Sequence, residues 1–112
     1  MKRYGMVIGV KEEKIDEYKK MHESAWLSVL EMISECHIHN YSIYLQKLDD
    51  GKYYLFSYFE YTGDDFESDM AKMASDPITQ EWWSYCKPCQ IPLSNCKNGE
   101  WWSEMEEVFH YD

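Results

Sequence analysis

Apolar and other positions alternate along Tyr4, Met6, Ile8 and Val10, which predicts a first strand with one apolar face. Gly5 and Gly9 fall on its other face and leave room for close approach. Charge takes over at Lys11-Glu12-Glu13-Lys14. Ile15, Tyr18, His22, Trp26, Val29, Leu30 and Ile33 then recur with helical spacing. That period predicts one long amphipathic helix over about Glu12 to Glu35, with a kink at Ser24. A run rich in Tyr, Ile and Leu, His39–Leu48, and an aromatic run, Tyr53–Tyr61, flank Asp50-Gly51 and predict a hairpin. The second run is aromatic on both parities, so both faces of that strand are expected to be covered.

Thr62 with Asp65 forms a capping pair for a short helix carrying Phe66, Met70 and Met73. Asp76-Pro77 signals the start of another helix, with Trp82 and Trp83 inside it and Pro88 beyond its end. Cys89 to Gly99 reads as a loop, and Met105 to Tyr111 as a last strand. The order strand, helix, strand, strand, helices, strand is the split βαβ pattern of ferredoxin-like α+β folds. Such a fold places its helices on one face of a four-stranded antiparallel sheet. The aromatic face left bare calls for a second copy, giving a homodimer of the dimeric α/β-barrel type.

The chain has 112 residues, enough for a single domain over 1–112, and 45% of them are hydrophobic. Aromatic residues at 17% argue against disorder. Eleven basic against 21 acidic residues give a net charge of −10, which opposes binding to nucleic acid, anionic substrates and membrane surfaces. A neutral ligand meets no such penalty. No apolar run is long enough to span a membrane, and the run ending at Val10 is too short for a signal-peptide core. With only four Cys, the expectation is a reduced, cytoplasmic protein.

Tyr18, His22 and Trp26 share one face of the first predicted helix. His22 is either a core histidine with satisfied ring nitrogens or a general acid/base, since imidazole titrates nearest neutrality. Tyr41 shares parity with Ile43 and Leu45, so it points to the helix side, as a packing residue or a site phenol. Trp82 and Trp83 diverge by about 100° on a helix, so they cannot both face the core equally. A flat aromatic beside hydrogen-bonding groups suits the C–H face of a sugar; the plainer alternative is one core Trp and one interface Trp. Trp101-Trp102 reads as dimer or lid packing. Cys86-Lys87-Pro88-Cys89 has CxxC spacing, but no second ligand pair completes a zinc set and the motif closes a helix rather than opening one. No metal or other cofactor is expected.

Four segments together resemble the L-rhamnose mutarotase family over nearly the whole chain. They are Glu17-Tyr18 with His22 and Trp26, His39-Asn40-Tyr41-Ser42-Ile43, Glu81-Trp82-Trp83, and Met105-Glu106-Glu107-Val108-Phe109. The resemblance implies a small homodimeric ferredoxin-like enzyme, working without metal or organic cofactor, that interconverts the α and β anomers of L-rhamnose. It implies His22 as proton donor and Tyr18, Tyr41, Trp82 and Trp83 as sugar contacts. The segment between Trp83 and Met105, with Cys86, Cys89 and Cys96, is expected to be longer than in better-known members and to influence which 6-deoxy or unmodified aldose fits.

Two other classes share the architecture. A cofactor-free monooxygenase or haem-degrading enzyme would also use an aromatic groove with one His, and would bind a flat hydrophobic ligand. A non-catalytic sugar-binding module would bind without speeding anomer exchange.

Overall fold

A computed structural model describes residues 1–112. The central strand is β1 (Lys2–Val10). It pairs antiparallel with β3 (Tyr53–Tyr61) along its entire length, from Lys2 opposite Tyr61 to Val10 opposite Tyr53. β2 (Ile38–Lys47) lies outside β3, joined through the turn at Asp50-Gly51, where Gly51 takes φ 79°. The sheet order is β2-β3-β1-β4, the split βαβ arrangement.

The fourth strand departs from the expected one. It is split into β4 (Gln90–Ile91) and β5 (Ser103–Met105), both antiparallel to the same edge of β1. Straight continuation from Ile91 opposite Gly9 would set Leu93 opposite Val7, but Ser103 stands there, so residues 92–102 loop out of the strand. Thus part of the stretch read as a loop is strand, and the expected strand at Met105–Tyr111 is shorter and lies earlier. The reason is register: Met105 opposite Gly5 leaves β1 too little chain to pair residues beyond the first few that follow. Arg3 holds the tail through its Nε, 2.8 Å from a Glu107 carboxylate oxygen. Gly9 admits the edge strand, because a Cβ there would lie 2.9 Å from the Ile91 carbonyl oxygen.

The helices are α1 (Ile15–Glu23), α2 (Leu27–Glu35), α3 (Phe66–Ser75) and α4 (Pro77–Cys86). The expected single first helix is therefore two, preceded by a short 3₁₀ turn at Glu12–Lys14. Ser24 ends α1 with φ −129° and ψ 53°, and Trp26 is extended at the start of α2. Serine competes locally for backbone hydrogen bonds, and the break lets Trp26 sit edge-on to Trp82 at 5.3 Å. Asp65 itself caps α3, accepting from the Ser68 N–H at 3.1 Å, while Thr62 instead bonds His39, so the expected Thr62–Asp65 pair is not the cap. Asp76 caps α4 through the Thr79 N–H at 2.9 Å, with Pro77 at the first helical position.

All four helices follow the sheet's apolar parity. Ile8, Val10 and Leu55 pack with Tyr18, Val29, Trp82 and Cys86; Tyr4, Ile38, Phe59 and Tyr61 pack with Cys36 and Met73. Burying each large apolar side chain contributes on the order of 1.5–3 kcal/mol. On the opposite parity Tyr54, Phe56 and Tyr58 are only half-buried, and Tyr44 is 65% exposed. No helix is long and apolar enough to cross a membrane.

Candidate active site

Between α1 and the sheet lies a cavity of about 360 Å³. Its floor is apolar: Val10 from β1, Ile43 and Leu45 from β2, and Leu55 from β3. Its wall is Ile15, Tyr18 and His22 of α1, with Lys19 and Glu23 on the same helix. Pockets of this size, apolar with a few convergent polar groups, suit a small molecule.

His22 is fixed on three sides. Its Nδ1 lies 2.8 Å from the Tyr18 carbonyl oxygen. A carbonyl only accepts, so Nδ1 carries the proton and Nε2 is left as the open ring nitrogen. The imidazole stacks on the Tyr18 ring at 4.2 Å and meets the Trp82 ring edge-on at 5.2 Å. Burial pushes the His22 pKa below its ordinary value of 6.5, against the raising effect of the Tyr18 carbonyl. The resting ring is neutral near pH 7, with Nε2 a base.

Tyr18 is buried, and its hydroxyl accepts a hydrogen bond from Gln90 Nε2 at 3.0 Å. Gln90 Oε1 in turn accepts from Trp101 Nε1 at 2.7 Å. Desolvation raises the Tyr18 pKa well above its usual value, so the phenol keeps its proton.

Tyr41 owes its direction to a bulge. His39 pairs with Glu60 and Ser42 with Tyr58, so Asn40 and Tyr41 share one position opposite Phe59. Asn40 adopts φ 51° and donates to Glu60 at 2.7 Å. The extra residue turns Tyr41 to the side of Ile43 and Leu45, with its ring 5.4 Å from Phe59. Tyr41 is 42% exposed in the single chain.

The structure thus brings Tyr18, His22 and Trp82 into ring contact. Trp82 is buried against the back of His22. Trp83 is half-buried beside both parts of the core, with the Lys87 ammonium 5.6 Å from its ring centroid. Neither Tyr41 nor Trp83 touches the other three ring to ring. Cys86 and Cys89 are buried free thiols, and burial pushes Cys86 up to about 12, so they serve as packing groups. No cluster of three or more His, Cys, Asp or Glu has metal-holding geometry. Sequence patterning missed Gln90, which sat in an apparent loop, and it assigned Trp101 to dimer or lid packing rather than to an inward hydrogen bond. No local signal marks a partnership between residues so far apart as Tyr18 and Gln90.

Fold and cavity together define a class: a ferredoxin-like α+β protein that sets an imidazole beside a phenol, the equipment of acid–base chemistry on a small polar molecule. Comparison with known proteins narrows it. The L-rhamnose mutarotase family model matches residues 3–111. The L-rhamnose mutarotase of Oceanobacillus iheyensis is 35% identical over 112 residues, and that of Bacillus subtilis 30%, each alignment covering all of both chains. The chain belongs to the L-rhamnose mutarotase family. In fold it is similar to the crystal structure of an L-rhamnose mutarotase from Formosa agariphila, with TM-score 0.75, 20% identity and full coverage of both chains.

Proposed function

We propose that this chain interconverts the α and β anomers of L-rhamnose by ring opening and closure. The observation that carries the reading is His22: Nδ1–H tied to a carbonyl, Nε2 open, in a cavity shared with Tyr18. Nε2 takes the proton of the anomeric hydroxyl on opening and returns it on closure, so His22 acts as base and as proton donor in turn. The apolar floor offers a place for the C6 methyl of a 6-deoxy sugar, and a net charge of −10 carries no penalty against a neutral one. Tyr18, Tyr41, Trp82 and Trp83 are the sugar contacts in this reading, and His22 is the catalytic residue. No metal or organic cofactor is required by the chemistry.

The unit is one domain over residues 1–112, active as a homodimer with the Tyr44, Tyr54, Phe56 and Tyr58 face against a second copy. Four free thiols suit a reducing compartment, so the reading makes it a cytoplasmic enzyme.

Saturation-transfer NMR on equilibrated L-rhamnose tests the activity. Transfer between anomeric protons well above the protein-free control is expected, and L-fucose, D-glucose and D-galactose then rank the sugars. A folded protein that leaves all four at the uncatalysed rate sinks the reading. Sedimentation of the same sample at the mass of one chain would remove the homodimer.

A further inference from the structure

We propose that Gln90 and Trp101 are positioning residues that fix the Tyr18 hydroxyl as a hydrogen-bond donor toward the ring oxygen of the sugar. This rests on the mutarotase reading of the cavity and names the second proton-transfer group in it. The chain of reasoning starts at Trp101. An indole N–H can only donate. It therefore turns Gln90 Oε1 toward itself, at 2.7 Å, and Nε2 toward Tyr18, at 3.0 Å. Gln90 is 7% exposed, so water does not compete for these bonds. The Tyr18 oxygen is thereby an acceptor of the amide, and its own proton finds no acceptor in the protein. Tyr18 lines the cavity, so that proton is offered there. Trp101 is held in turn by Lys87, whose ammonium lies 5.5 Å from its ring centroid and 5.6 Å from that of Trp83.

His22 is locked in the opposite sense, with Nδ1–H engaged and Nε2 free to accept. The wall of the cavity thus presents one donor and one acceptor on stacked rings 4.2 Å apart. An aldopyranose presents the matching pair on one carbon. The ring oxygen bears no hydrogen and can only accept, whereas the neighbouring anomeric hydroxyl donates. On opening, His22 Nε2 takes the O1 proton, the O1–H electrons form the C1=O1 bond, the C1–O5 bond breaks, and O5 takes the Tyr18 proton. The Gln90 amide N–H then faces the phenolate. The aldehyde turns about C1–C2, and closure returns one proton to Tyr18 and one to O1. Nothing else is consumed.

The test uses Gln90→Glu, Trp101→Phe, Tyr18→Phe and the double variant Tyr18→Phe/Gln90→Glu, with kcat and KM for anomer exchange. A carboxylate at position 90 still satisfies the indole, but it accepts the Tyr18 proton and turns it away from the cavity. The expected loss in Gln90→Glu is roughly 10- to 100-fold in kcat, at or below the lower end of what one acid–base group contributes, as fits a group misdirected rather than removed, with KM changed by less than about threefold. Trp101→Phe, which leaves the Gln90 amide free to flip, loses less. The double variant is no slower than Tyr18→Phe alone. Losses that multiply in the double variant, or wild-type kcat in a folded Gln90→Glu or Trp101→Phe protein, overturn the proposal while leaving the mutarotase reading intact. Absence of exchange in the wild type sinks that reading instead. The lock is then judged on the Gln90 side-chain amide signals by ¹⁵N NMR, which shift in Tyr18→Phe and in Trp101→Phe if the hydrogen bonds exist and stay fixed if they do not.

Discussion

Two ends of this molecule are built from the same parts and differ in what they leave undone. At the end of α2, His37 Nδ1 lies 3.1 Å from the Asp69 carboxylate, and the Tyr61 hydroxyl donates to that same carboxylate. The Tyr61 oxygen also accepts the Asp65 N–H at 3.1 Å, so both hydrogen-bonding capacities of the phenol are spent on the protein. On α1, the Tyr18 oxygen is occupied by Gln90 but its proton is not, and His22 keeps Nε2 open. A histidine–tyrosine pair is thus structural where the network closes on itself. In the proposed mechanism it is reactive where a donor and an acceptor face an apolar cavity. The Tyr61 network pins the start of α3 to the end of β3; the Tyr18 network holds polar groups in readiness for something the chain does not contain.

The sharpest way to break this contrast is to remove each histidine. His22→Ala is expected to slow anomer exchange by about 10²–10⁴-fold, the value of a positioned acid–base group, with the far-UV circular dichroism unchanged. His37→Ala, outside the cavity, is expected to keep exchange within about twofold of wild type, a change too small to involve such a group. Full exchange in a folded His22→Ala protein would remove His22 from the mechanism and erase the distinction between the two ends.

Acid separates the two ends next. His22 has a lowered pKa from burial, so its neutral form, the one the proposed mechanism uses, is complete above the ordinary 6.5 and is lost only as pH falls through the lower folded value. The kcat/KM profile is expected to be flat through neutrality and to fall on the acid side of 6.5. Asp69 is also lowered, first by the Tyr61 hydroxyl and then by His37. A depressed carboxyl contributes stability above its unfolded value of 3.8 and loses it as pH falls through the folded one. Activity should therefore fail at a higher pH than the fold, as seen by comparing exchange with tryptophan fluorescence across one titration. Coincident loss of both would mean that the acid limb reports unfolding rather than His22.

Much of the frame was legible along the chain, because its signals are local. Alternation at Tyr4–Val10, Asp50-Gly51 between two strands, and Asp76-Pro77 before a helix each involve neighbours in sequence. The split fourth strand was not legible. Gln90–Ile91 and Ser103–Met105 are too short to show a period, and only their shared edge on β1 makes them one strand. The break at Ser24 was visible only as a kink, since the apolar spacing runs on past it to Trp26, which packs on Trp82 across the break. In the site, Tyr18 and His22 share a helical face that spacing reveals. Tyr41 faces the same way in the fold because a bulge at Asn40 shifts the parity of β2 after Ile38. Gln90 and Trp101 join Tyr18 through tertiary structure alone, which no window along the sequence contains.

The smallest effect on catalysis, and the finest test of the contrast, is expected at Tyr61. Tyr61→Phe removes the donor to Asp69 and the acceptor of the Asp65 N–H, and leaves a buried ring of nearly the same shape. The loss belongs to stability: the Asp69 carboxylate keeps His37 and the Asp65 N–H loses its partner, so Tm should drop by several degrees in a chain of this size. Exchange measured well below that Tm should match wild type in both kcat and KM. Tyr18→Phe makes the mirror image, a loss in kcat with a smaller change in Tm, because the group removed there faces the cavity as well as Gln90. If both substitutions cost the same in both measurements, the free proton on Tyr18 has no special role, and the two ends of the molecule are structural in the same way.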